Sequence, residues 1–142
     1  MKFSRTVLLA KGSEIVGEIE LNCSVVKNTV YISYIDSFSE KGNKNSSGFF
    51  YALAEIREDY SEKELVLLCK GSQESVFPGG LTSESSFGEL AYEMDDIIGE
   101  PKVVNIFDSI GISDLKSVAS IEEQKLKRLN IIRSKQQPQQ FR

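Results

Sequence analysis

At 142 residues, 40% apolar and 27% charged, the chain has the size and composition of one folded domain, 1–142, with a core of its own. Its apolar runs stop at four or five residues, against the about 20 that a membrane-spanning helix needs, and Val7–Ala10 is too short for the core of a secretory signal. There is no histidine, which excludes Ser-His-Asp and Cys-His catalysis and every His-containing zinc site, and two cysteines cannot close a structural zinc site.

In chain order, residues 5–10 read as a short strand. Residues 14–21 alternate, with Ile15, Ile19 and Leu21 on one face and Glu14, Glu18 and Glu20 on the other, the period of a half-buried strand. The run 29–35 is rich in β-branched and aromatic residues and predicts a second strand, paired antiparallel with the first through a connection at 22–28. Residues 37–48 are polar and read as a loop. A helix should follow. Phe49, Leu53, Ile56 and Tyr60 form one apolar stripe, Glu55, Arg57, Glu58 and Asp59 face water, and Ser46 or Ser47 is the expected N-cap.

Leu65–Lys70 is apolar almost throughout and predicts a central strand covered on both faces. Gly71-Ser72 and Pro78-Gly79-Gly80 mark turns. Residues 87–98 place Leu90, Tyr92 and Met94 in alternation with Glu89, Glu93 and Asp95, which favours a strand, and Lys102–Phe107 reads as another. Ser120-Ile-Glu-Glu123 fits a capping box, after which Ile121, Leu126, Leu129 and Ile132 can share the face of a C-terminal helix. Residues 136–142 lack an apolar pattern and should fray. The expected fold class is α+β: a mainly antiparallel twisted sheet with one helix on a face and another at the C-terminus.

Charge is unevenly spread: residues 1–45 carry +1, residues 46–111 carry −9 and residues 112–142 carry +4. An acidic middle argues against nucleic acid as a partner and suits a protein with a basic surface. The phosphate-cradling Gly-x-x-x-x-Gly-Lys-Ser/Thr pattern is missing, and Glu93-Met-Asp-Asp96 lacks the ligand spacing of a calcium loop, so the expectation is no cofactor and no metal. Cys23 and Cys69 are expected as reduced core thiols of a cytoplasmic protein.

The stretch 65–81 reads Leu-Val-Leu-Leu-Cys-Lys-Gly-Ser-Gln-Glu-Ser-Val-Phe-Pro-Gly-Gly-Leu. It resembles bacterial immunity proteins of toxin–antitoxin and contact-dependent growth inhibition loci, in which a helix precedes Leu-Leu-Cys-x-Gly-Ser and then Val-x-Pro-Ser-Gly-Met. Leu67, Leu68, Cys69, Gly71, Ser72, Val76, Pro78 and Gly80 match; Gly79 stands where serine is usual and Leu81 where methionine is usual. The resemblance spans roughly residues 49–125. It implies a protein that binds a cognate toxin domain and blocks its active site without being an enzyme itself, and the logic of substrate blocking favours a nuclease as the toxin.

On that reading the expected partner-binding residues are Glu89, Glu93, Asp95 and Asp96, with Glu100 beside them, for electrostatic steering. Phe77 and Tyr92 are the expected aromatic anchors, and Ser72 and Glu74 lie in the motif loop. One alternative is an adaptor or chaperone for a secreted effector. A second is a small carboxylate- and metal-dependent hydrolase, which would need converging carboxylates near Glu93 to Asp96.

Overall fold

A computed structural model describes residues 1–80, 86–94 and 100–136. The chain is α+β. β1 (Lys2–Lys11), β2 (Glu14–Val26), β3 (Thr29–Asp36), β4 (Lys41–Ser46) and β5 (Val66–Leu68) form an antiparallel sheet in the order β4-β3-β2-β1-β5. α1 (Phe49–Ser61) packs on this sheet. β6 (Val76–Phe77), β7 (Leu90–Glu93) and β8 (Lys102–Asn105) form a second antiparallel sheet, and α2 (Ile121–Gln136) ends the described chain.

The predicted period of two builds β1 to β3. Val7 and Leu9, Ile19, Leu21 and Cys23, and Val30 and Ile32 all point into one core, while Glu18 and Glu20 face water. Ile15 departs from the prediction and is half exposed. The β1–β2 register shifts between Leu9 and Ala10, so Ala10 pairs with Ile15, and this bulge turns Ile15 out of the inward row. The turn between β2 and β3 is only Lys27-Asn28, because Cys23–Val26 continues the strand alternation. Lys27 takes the positive φ of 57° that the tight reversal requires.

Residues 41–46, expected as loop, are an edge strand. Its inward positions are not apolar. Gly42 leaves room for the Tyr34 ring, which a Cβ would meet at 2.5 Å or closer, and Lys44 reaches Asp59 of α1 at 2.8 Å. The N-cap of α1 is Gly48, not a serine, and no side chain caps it. The Phe87 carbonyl instead accepts the Phe49 N–H at 2.6 Å. Gly88, at φ 87°, lets that turn approach, since a Cβ there would lie 3.1 Å from the Phe49 nitrogen.

The predicted stripe Phe49, Leu53, Ile56 and Tyr60 is fully buried, joined by Phe50, Ala52 and Ala54. Val76, Ala91, Ile106 and Phe107 enter the same cluster, so one core serves both sheets. β5 is covered on both faces as expected, by the main core and by a small cluster of Ala10, Leu68 and Ile110, but it lies at the sheet edge and spans three residues. β7 is shorter than the run 87–98 predicted; Phe87-Gly88 belongs to the turn, and residues 95–98 lie outside the described residues. The Ser120–Glu123 capping box is present, with bonds of 2.8 and 3.1 Å. The apolar face predicted for α2 is not its packing face: Leu126 and Leu129 are exposed, and Gln124 and Ile131 are buried instead.

No helix among the described residues is long and apolar enough to cross a membrane. Cys23 and Cys69 are both buried and unbridged.

Candidate functional site

The motif residues fold into the joint between the two sheets. Lys70–Ser72 forms a single 3-10 turn after β5, and Gly71 presses against Leu53 and Ile106. The Ser72 hydroxyl donates to the Leu67 carbonyl at 2.7 Å and lies 3.6 Å from the Cys69 sulfur. Ser72 is 1% exposed, so its expected place on a partner surface is corrected: it closes the turn from within. Burial pushes the Cys69 thiol above its ordinary range, opposed by Ser72 and the Arg57 guanidinium.

Phe77 and Tyr92 are brought together. They are register partners across β6 and β7, and Val103 of β8 is the next in the same row. All three share a face of the small sheet, where Val103 is 52% exposed and both aromatics are partly buried. Phe77 stacks edge-on to Phe50 at 5.3 Å, and the Arg128 guanidinium of α2 lies over its ring, 5.6 Å from the centroid. The row therefore combines surface with support for α1 and α2.

Among the described residues, the predicted carboxylates Glu74, Glu89 and Glu93 each meet a cation of their own. Glu89 meets Arg5 at 3.1 Å and accepts from Asn105 at 2.9 Å. Glu93 meets Lys70 at 3.2 Å and Lys102 at 4.0 Å. Glu74 meets Lys127 at 3.6 Å. Asp95 and Asp96 lie outside the described residues; Glu100 is exposed. Arg5 and Lys127 from outside the acidic middle, and Lys70 and Lys102 from within it, are thus folded onto its carboxylates. The carboxylates left exposed without an ion pair among the described residues include Glu55 and Glu58 on α1, Glu62 at its C-cap, and Glu122 and Glu123 at the start of α2.

Between these helices lies a cleft of about 450 Å³, walled by Leu65, Val66 and Ile121 and rimmed by Glu58, Glu122 and Glu123. Arg57 lines it. Its guanidinium donates to the Gly71 carbonyl at 2.8 Å, to Gln124 Oε1 at 3.0 Å and to the Ala119 carbonyl. Gln124 is fully buried and donates in turn to the carbonyls of Gly71, Gln73 and Val76 at 2.9, 2.8 and 3.2 Å. Burial draws the Arg57 pKa down from its ordinary value; nearby Cys69 and Glu122 counter this.

The sequence assigned Arg57 to water and overlooked Gln124. Both carried a signal: Arg57 is four residues after Leu53, on the edge of the apolar stripe, and Gln124 is three after Ile121. Among the described residues, no three Cys, Asp or Glu side chains are placed to hold a metal ion. No protein-family model and no curated protein matches the chain.

Proposed function

We propose that this chain is an immunity protein that binds a secreted toxin domain through a basic surface of the toxin and neutralises it by occluding the active site, in the cytoplasm of the producing cell. The observation that carries the reading is the set of exposed carboxylates Glu55 and Glu58 on α1 and Glu62 at its C-cap, none of which forms an ion pair among the described residues. Glu58 and Glu62 also stand at the C-terminal end of α1, where the helix dipole is already negative and no basic residue lies in the last turn. A basic partner relieves that repulsion and is steered by it. A nuclease toxin suits this surface, because a site that holds phosphates is basic.

The resemblance of residues 65–81 to immunity proteins is consistent with the reading, and the fold gives that motif a structural role at the joint of the two sheets. Against a carboxylate hydrolase, Glu89 and Glu93 are each matched to cations at separate ends of β7. The test is co-expression with the toxin-like product of the adjoining gene. The expected result is rescue of growth and co-purification of a stable complex. A toxin that stays lethal and fails to co-purify overturns the assignment.

A further inference from the structure

We infer that the cleft between α1 and α2 receives a lysine or arginine side chain of the protein partner. This rests on the basic-partner reading above and deepens it. The apolar walls Leu65, Val66 and Ile121 suit an aliphatic stem, and the rim of Glu58, Glu122 and Glu123 suits a cationic head held near water. An anionic occupant would have Arg57 in its favour, but the Arg57 guanidinium is already engaged by two carbonyls and Gln124, and three rim carboxylates oppose it. The positive end of α2 opens on the same cleft, and its own Ser120–Glu123 box and Glu122 take up that field. At the other lip, Ser61 and Glu58 belong to the last turns of α1, whose carbonyl end adds negative potential. Charge complementarity therefore selects a cation, and the apolar walls select one carried on an aliphatic stem.

The experiment is an amide NMR titration of the whole chain at low salt with end-capped pentalysine, and with end-capped pentaglutamate as the comparison. Pentalysine should shift the amides of residues 57–61, 65–67 and 118–123 and weaken as salt is added. Glu58→Gln with Glu122→Gln should lower its affinity about tenfold. Glu18→Gln with Glu20→Gln, on the open face of the large sheet, should change it less than about twofold. Ser61→Trp fills the lip without altering charge and should also abolish the cleft shifts; thermal melts confirm that each variant is folded. Shifts centred elsewhere, equal loss in both double variants, or the same shifts with pentaglutamate would overturn the inference. If the cleft variant still neutralises the toxin at parental potency, the cleft assignment falls while the immunity assignment stands. If pentalysine seats in the cleft but no toxin is neutralised, the immunity assignment falls alone.

Discussion

The Tyr60 hydroxyl donates to the Asp36 carboxylate at 2.5 Å, joining the buried face of α1 to the end of β3. The other Asp36 oxygen accepts the Phe38 and Glu40 N–H groups at 2.8 and 3.0 Å, so one carboxylate shapes the β3–β4 turn and anchors the helix above it. Tyr60→Phe should cost about 1–3 kcal/mol in urea unfolding, since a charged acceptor loses its buried donor. Burial and Asp36 both raise the Tyr60 pKa above the ordinary phenol value. That stabilisation is complete below about pH 10, the unfolded phenol value, and is lost as pH rises beyond it. The Phe variant should show a flatter alkaline decline in stability; an unchanged slope would count against the pairing.

The thiols give a second alkaline signature. Burial pushes Cys23 from 9.0 up to about 12. Its contribution to stability is therefore whole below about pH 9 and falls away between pH 9 and 12. Cys23→Ala should flatten the stability curve across that window. Alkylation should label neither cysteine in the folded protein and both after denaturation. Cys69→Ser should cost about 1–3 kcal/mol, from the hydroxyl it places in a buried apolar strand end.

Gly71 has no room for a side chain: a Cβ would lie 2.9 Å from Leu53 Cδ2 and 3.1 Å from Ile106 Cβ. Gly71→Ala should destabilise by about 1–3 kcal/mol through overpacking at the joint of the sheets. Differential scanning calorimetry reads this as a lower melting temperature with a single transition retained.

Arg57 and Gln124 share the Gly71 carbonyl and bond to each other. Arg57→Ala should cost about 3 kcal/mol, because it strips several charge-assisted bonds from buried acceptors. Combined with Gln124→Ala, the double variant should be more stable than the sum of the single losses predicts, by about 1 kcal/mol. Strict additivity in a denaturation cycle would show that the two act separately.

Phe77 should behave as a packing residue as much as a contact. Phe77→Ala is expected to cost about 2 kcal/mol of stability, from its stacking on Phe50 and loss of the Arg128 contact. Val103→Ser, at a more exposed place in the same row, should change stability by less than about 0.5 kcal/mol. Val103→Ser is therefore the cleaner probe of whether the row touches a partner.

Local periodicity made much of this fold legible. Ile19 and Leu21, the α1 stripe and the Ser120–Glu123 box are set by neighbours within a strand or helix turn, and each is found where the pattern puts it. β4 was illegible because its inward positions are Gly42, Lys44 and Ser46, chosen to fit Tyr34 and Asp59 from other elements. The pairing of charges in the acidic middle was illegible for the same reason. Arg5, Lys44 and Lys127, remote in sequence, are brought onto Glu89, Asp59 and Glu74, and the exposed carboxylates without an ion pair among the described residues include Glu55 and Glu58 of α1. A charge count along the chain records none of these pairings.

The inverted amphipathicity of α2 has a dynamic consequence. A helix docked through Gln124, Arg128, Ile121 and Ile131, with Leu126 and Leu129 turned to solvent, gains less from apolar burial than its sequence could supply. It should open as a unit far below the free energy of global unfolding, and its amides should exchange well before those of β1 to β3. Because Ile121 and Glu122 wall the cleft, whatever is held there is coupled to that opening. Occupancy slows the exchange of α2, and a weakened α2 lowers affinity in proportion to the fraction of molecules in which it stays docked.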